Sequence, residues 1–386
     1  MGEISLECHL SELFYCYHVN MKPHILLITS VYPPQVGGPA IFTSRFAHWL
    51  LEKNYTVSTI TYVTDKKNEY RNVSYITLRK NRLISFVKFI FKILTISGKN
   101  TLILSNGAFI ETYVACKISR RKYILKIPGD QVWELSKNRG WTKKNIEEFQ
   151  FEKLNYKQRI FRVLNNLALK NADFVIAPSN QLSVFAQKWG VKKEKVKIIF
   201  NCVNPDHFDK IDARIKQFDL VTTCRLVPWK GLEELIETSI KLNLKLLIIG
   251  DGPLLSHLKF LAQGKASNIS FAGRIENSQI SKVLSKAKIF VLNSEFEATS
   301  YALIEAKMCG LPILAKKNDG SLTVVRNGID GFVYSASEGF TLDSAIIKLS
   351  ASSELVELFG SESRKDALLR FNEKINFAKI LELMEI

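Results

Sequence analysis

Apolar and polar residues fall along this chain in blocks that switch between two periods. "HILLITSVYPP" is an apolar run closed by Pro33 and Pro34, the pattern of a strand buried on both faces. "GGPAIFTSRFAHWLLEK" then places apolar residues at helical spacing after a Gly pair. "YTVSTITYV", "TLILSNG" and "YILKIPGD" read as further strands. "ADFVIAPS", its helix "NQLSVFAQKWG" and "VKIIFN" complete a first half. The polar stretch "NPDHFDKIDAR" contains a Pro and has no clear period, which predicts a hinge between residues 204 and 214.

The same grammar restarts after it. "FDLVTTCRL" leads into helix "KGLEELIETSIKLN", and "LKLLIIGDGP" into helix "LLSHLKFLAQ". "ISFAGRI" leads into helix "NSQISKVLSKA", "IFVLNS" into "EFEATSYALIEAKMCG", and "LPILAKK" into "GSLTVVRNGIDGFV". Strands alternating with helices predict an α/β fold of two doubly wound, Rossmann-like domains. The expected boundaries are an extension over 1–20, a first domain over 21–208 and a second over 209–368. Parallel sheets of this type hold ligands at the carboxyl ends of their strands, so a central cleft is expected to carry the site.

Charge narrows the choice of partner. The formal net charge is +17 over 386 residues, which favours an anionic ligand, an acidic membrane or nucleic acid. No recognition helix, zinc-finger spacing or RNP-type pattern accompanies it, so no nucleic-acid partner is expected. The six cysteines (Cys8, Cys16, Cys116, Cys202, Cys224, Cys309) show no CxxC pair, which disfavours a zinc site or disulfide framework and fits a cytoplasmic protein. No apolar run is long enough to span a bilayer. Glu3, Glu7 and Glu12 stand where a signal peptide would be basic, and Leu6 breaks the myristoylation pattern.

The second half concentrates the chemistry. In "TTCRLVPWKGLEELIE", Arg225 follows a strand and Lys230 begins the next helix. Both cations therefore sit on the carboxyl rim beside a helix N-terminus, an arrangement that suits a diphosphate. "IIGDGP" and "FAGRI" each end a strand in Gly, where backbone can approach a ligand. Glu297 and Glu305 stand eight apart; with 25 Glu in the chain, chance alone supplies about one to two such pairs. Eight residues at helical rise span ~12 Å, enough to put one carboxylate on a sugar and the other on a ribose diol. The backbone N–H groups of Ala298, Thr299 and Ser300 would face the same rim.

In their order and spacing these motifs resemble the retaining GT-B glycosyltransferases of family 4. The matching segments are "RLVPWKG", "IIGDGP", "FAGR", Glu297 to Glu305, "NGIDGFV", and upstream "GGPA" and "ADFVIAPSNQL…VKIIFNCVN". The resemblance covers residues 21 to 386. It implies Arg225 and Lys230 on the diphosphate of a nucleoside diphosphate sugar, Glu305 on the ribose, and Glu297 with residues 298–300 near the transferred sugar. Gly252 and Arg274 join the donor-binding set, as do Gly37 and Gly38 of the first helix start. The C-terminal helix over 369–386 is expected to pack back on the first domain.

Three places depart from the family. Glu297-Ala298-Thr299-Ser300 stands for Glu-Gly-x-Gly, and Asn201-Cys202-Val203 for Asn-Gly-Val. Where many members carry a histidine, "LKIPGDQVWE" offers Lys126, Asp130 and Glu134, of which Asp130 is the candidate beside the acceptor hydroxyl. The implied reaction moves the sugar to an acceptor hydroxyl with retention, in polysaccharide, lipopolysaccharide or glycolipid assembly. No cofactor is expected and, since no Asp-x-Asp is present, no metal. A nucleotide-sugar epimerase or phosphorylase is the alternative enzyme, and a non-catalytic basic nucleotide- or nucleic-acid-binding protein the alternative of another class. Residues 79–99 carry six cations and no acid, with Ser85, Lys88, Lys92, Thr95 and Lys99 as a polar stripe. That stripe fits either a core-facing helix or contact with an anionic membrane, where a saccharide or lipid-linked acceptor would be met.

Overall fold

A computed structural model describes residues 22–35, 37–64, 70, 72–78, 81–208, 216–263 and 268–386. The expected extension over 1–20 and residues 209–214 of the expected hinge lie outside these. By contact density the chain divides into two compact units after Leu125.

All strands pair in parallel. One sheet has seven strands in the order β3-β2-β1-β4-β5-β6-β7. These are β1 (His24–Thr29), β2 (Val57–Val63), β3 (Val73–Thr77), β4 (Thr101–Asn106), β5 (Ile124–Lys126), β6 (Phe174–Ala177) and β7 (Val196–Ile198). The other has six, in the order β10-β9-β8-β11-β12-β13: β8 (Phe218–Thr223), β9 (Leu246–Ile249), β10 (Ile269–Gly273), β11 (Ala287–Leu292), β12 (Ile313–Lys316) and β13 (Gly331–Tyr334). The reversal of order between β8 and β11 is the switch point at which a doubly wound sheet opens for ligands.

The central predicted strands form because their apolar runs are buried on both faces, and β9 is buried at every residue, whereas the edge strands β7 and β10 are mostly half-buried. β3 was not expected. As an edge strand it is half-buried and short, so "VSYIT" shows no apolar block. The C-terminal helix expected over 369–386 runs Glu373–Glu385, while residues 369 and 370 end the preceding helix Ser353–Arg370. The break falls where Val203 N donates to Phe371 O at 3.0 Å and Glu373 N to Val203 O at 3.0 Å. Two core clusters flank the second sheet, one including Phe290, Ile304 and Phe371, the other Leu235, Ile248 and Leu314.

The polar stripe over 79–99 faces outward only in part: Lys88 and Thr95 are exposed and Lys92 half-buried, while Ser85 turns inward. The helix runs Arg82–Ile96, so Lys99 lies beyond it, and residues 79 and 80 are outside the described residues. Ser85 is buried because its hydroxyl donates to Thr77 O at 3.0 Å, which satisfies it inside. Leu83, Ile84, Val87 and Phe91 are exposed as well. Among the described residues no helix is long and apolar enough to cross a membrane.

Candidate functional site

The second unit assembles the site from the carboxyl ends of neighbouring strands. Arg225 follows β8, Gly252 follows β9, Arg274 follows β10, and Glu297 with residues 298–300 follows β11. Since the strands are parallel, these residues share one edge. Arg225 and Arg274 are exposed.

Backbone stitching fixes the loops around Lys230. Lys230 ends a 3-10 turn, Pro228–Lys230, held by its own N–H on Val227 O at 3.0 Å. Glu295 N donates to Trp229 O at 2.9 Å, which ties that turn to the loop after β11. Gly231 then adopts φ 59, and a Cβ there would lie 2.5 Å from Asn293 O. Asn293 donates to Gly231 O and Glu234 Oε2 at 2.8 Å each, and accepts from the Tyr334 hydroxyl at 2.7 Å. Asn318 Nδ2 reaches Ser294 O at 2.9 Å, and a Cβ on Gly320 would sit 2.2 Å from Glu297 O. Asn293, Asn318, Gly320 and Tyr334 were not singled out from sequence; each acts by holding backbone, and no motif spacing marks that role.

Within this frame Lys230 Nζ and Glu297 Oε1 form an ion pair, both side chains being largely buried. The cation and the carboxylate assigned to different parts of a ligand thus meet each other directly. Glu297 precedes the helix Tyr301–Met308, while Glu305 is buried inside it. Half of their separation is therefore loop, and the ~12 Å that helical rise would give does not apply. Residues 298–300 lead into that helix, and among the described residues their N–H groups take no backbone acceptor. Such donors at a helix start favour an anion.

Gly252 has another reason to be Gly. A Cβ there would lie 2.4 Å from Leu226 O, and Leu226 N donates to Asp251 O at 3.0 Å. The backbone that approaches Gly252 is protein. Gly37 and Gly38 lie in the first unit at the start of helix Gly38–Glu52. At Gly37 the backbone is extended, and a Cβ would make only ordinary contacts of 3.8 Å or more. The fold itself does not require Gly at 37.

The "LKIPGDQVWE" segment is joined to the same loop. Trp133 packs on Phe296 with ring centroids 4.8 Å apart. Lys126 Nζ donates to Asn201 Oδ1 at 2.9 Å, and Asn201 Nδ2 donates to Thr299 O at 3.1 Å. Burial lowers the Lys126 pKa to about 8. Thr299 also donates to Pro178 O at 2.7 Å.

Asp130, the expected acceptor-side group, is otherwise engaged. It is buried and caps the helix Gln131–Asn138, with Oδ1 accepting from Val132 N at 3.0 Å and Trp133 N at 3.2 Å. Its Oδ2 accepts from Gln150 Nε2 at 2.9 Å and Arg162 Nη2 at 2.7 Å. Four donors leave it little capacity for a substrate hydroxyl. Glu134, one turn on, folds over Gly129, where a Cβ would lie 2.3 Å from its Oε1. Glu134 is an exposed residue, and desolvation of its carboxyl, with the Asp130 charge adding, pushes its pKa up to about 7.

Among the described residues, no three His, Cys, Asp or Glu side chains group as a metal site. The Cys224 and Cys309 thiols are pushed up to about 11 and about 12 by burial, and so are poor nucleophiles at neutral pH.

Comparison with known proteins bears on this geometry. Residues 203–366 match the family model described as glycosyl transferases group 1. An uncharacterized glycosyltransferase of Methanocaldococcus jannaschii is 24% identical over 369 residues, spanning 92% of this chain and 95% of that protein. The amylovoran biosynthesis glycosyltransferase of Erwinia amylovora is 25% identical over 211 residues, 51% of this chain and 52% of its own length. The Anabaena protein HepE, solved in complex with UDP and glucose, superposes with a TM-score of 0.74 at 18% identity, covering 94% of this chain and 99% of that one.

Proposed function

From the premise that this chain belongs to the family of glycosyl transferases group 1 and has the GT-B fold, we propose that it moves a sugar from a nucleoside diphosphate sugar to an acceptor hydroxyl with retention at the anomeric carbon. The observation that carries this is the convergence of Arg225, the Lys230–Glu297 pair and the N–H groups of residues 298–300 on one edge of the second sheet. In the reaction the bond from the anomeric carbon to the diphosphate breaks, and its electron pair leaves with the diphosphate. A new bond forms to the acceptor oxygen. Arg225, Lys230 and the helix-start N–H groups stabilise the departing charge, which requires no metal. Glu305 is assigned to the ribose, and Gly252 and Arg274 border the nucleotide.

On the acceptor side, Glu134 takes the role first expected of Asp130. Ionised above about pH 7, its carboxylate receives the hydroxyl proton. The Glu134→Gln variant is expected to lose the rise in kcat/KM for acceptor centred near pH 7, with donor affinity unchanged. A pH profile identical to that of the parent protein would remove Glu134 from the mechanism.

The acceptor class proposed is a saccharide or lipid-linked saccharide in surface polysaccharide, lipopolysaccharide or glycolipid assembly. The amylovoran relative supports it, as do the exposed apolar residues of the helix Arg82–Ile96, which suit a site of action on the cytoplasmic membrane face. The deciding experiment is a thermal-shift screen against UDP-, GDP- and ADP-sugars with and without EDTA. One donor at a hundredfold excess over its Kd should stabilise the fold by about 2.7 kcal/mol. EDTA should leave both the shift and turnover intact. No shift with any donor would refute the reading.

A further inference from the structure

The helix Tyr156–Asn171 has an outer face that its own unit does not cover. Tyr156, Ile160, Val163 and Leu167 recur at intervals of four, three and four, and they are 70%, 57%, 60% and 40% exposed. At 3.6 residues per turn these four form one stripe, with Leu164 beside it. The opposite face is the one that packs: Gln158, Asn165, Ala168 and Leu169 are buried, and Gln158 donates to Ser136 Oγ at 3.0 Å. This is the inverse of an ordinary surface helix, which turns its apolar stripe inward.

Charge frames the stripe. Lys157 lies along one edge, and Arg159 and Lys170 along the other; all three are exposed. From residue 153 to 172 there are five Lys and Arg and no Asp or Glu. The imbalance extends over the half of the chain that contains it. Residues 22–208 hold 31 Lys and Arg against 12 Asp and Glu, a net of +19, whereas residues 209–386 hold 23 against 22, a net of +1.

We propose that the face of helix Tyr156–Asn171 is a docking surface for an anionic lipid bilayer, with Tyr156, Ile160, Val163 and Leu167 entering the interface and Lys157, Arg159 and Lys170 meeting lipid phosphates. An apolar centre with cations on both edges is the layout of a helix that lies in the membrane plane, since the long basic stems extend outward to the headgroups. A second copy of the chain fits less well. Pairing this face with itself would bring Lys157, Arg159 and Lys170 of two molecules together with no acid in the segment to oppose them. The helix Arg82–Ile96, in the other unit, also exposes apolar residues beside cations and carries no acid. The inference does not depend on the transferase reading, because a bilayer would be bound whatever the second unit holds.

Sedimentation with phosphatidylcholine vesicles, with and without phosphatidylglycerol, tests it on the full chain. The protein should co-sediment with the anionic vesicles only, and less as salt rises. The I160E/V163E variant should lose roughly tenfold or more of that partition. The K157Q/R159Q variant, which leaves the apolar stripe whole, should lose part of it, and both should keep the parent's donor-sugar thermal shift in lipid-free solution. Unchanged vesicle binding by I160E/V163E, or equal binding to neutral vesicles, would overturn the proposal. So would a native dimer that I160E/V163E converts to monomer, which would assign the face to a second copy. Loss of the donor shift in the parent protein would instead count against the proposed function alone.

Discussion

Replacing Lys230 with Ala is expected to lower kcat by about two to three orders of magnitude, the effect of removing one preorganised donor to a developing anion. The geometry says why the loss should fall on turnover. Lys230 is held by backbone on both sides, through Val227 O behind it and Gly231 in front, so its ammonium needs no reorganisation to meet a diphosphate. It is paired with Glu297. A bound diphosphate would compete for that ammonium and free the carboxylate for the sugar, so the pair couples donor binding to the state of Glu297. The K230A variant leaves Glu297 without its cation, and its kinetics alone would mix two effects. K230A, E297A and the double variant should therefore be assayed together. The double variant is expected to be far less impaired than the product of the two single losses. Strict multiplication of the losses, with full folding by thermal melt, would show that the two residues act separately.

Replacing Asp330 with Ala is expected to cost about 3–5 kcal/mol of stability, the usual result of orphaning a buried charge. Lys307 has no solvent exposure; its Nζ bonds Asp330 Oδ2 at 2.9 Å, Asp366 Oδ2 at 2.5 Å and Val324 O at 2.8 Å. Arg326 holds Asp330 at 2.7 Å, and Arg370 holds Asp366 at 2.6 Å while donating to Thr323 O and Val324 O at 2.9 Å. The network clamps the helix Tyr301–Met308, which carries Glu305, to the segment before β13 and to the helix Ser353–Arg370. Burial lowers the Lys307 pKa, and the two aspartates offset that only in part, so removal of one leaves the ammonium poorly compensated. Thermal melts of D330A and D330N against the parent protein check this, with D330N the milder because it keeps an acceptor oxygen. A loss below about 1 kcal/mol in D330A would show that the cluster clamps nothing. Acid should weaken the same clamp. Burial raises the Asp366 pKa, but the Arg370 hydrogen bond and the Lys307 charge more than reverse it, leaving it below its ordinary 3.8. The stability it adds is present above that value and is lost as pH falls through the lowered one.

The alternation of strands and helices was legible because parallel strands buried on both faces are near-continuous apolar runs, as "KLLIIG" and "KIFVLN" are. The rim assignments followed from the same fact, since a residue just past such a run lies at the carboxyl edge. β3 was illegible because an edge strand needs no apolar block. Within the polar stripe over 79–99 Lys88 and Thr95 face out as their period implies, and only Ser85 departs. Ser85 could turn inward by giving its hydroxyl to Thr77 O. At Gly252 the close approach of the Leu226 backbone is a further reason for Gly that no motif spacing shows.

By itself, then, the sequence determined the two-sheet α/β architecture, the edge on which the chemistry lies and the residue types gathered there. Those depend on local composition and on the polarity of parallel strands, both of which are written along the chain. Tertiary structure alone decided which side chains remain available. It paired Lys230 with Glu297, tied Asp130 to Gln150 and Arg162, and turned an apolar stripe of the helix Tyr156–Asn171 outward. The first two rest on contacts between residues distant in sequence, and no spacing rule encodes such a contact.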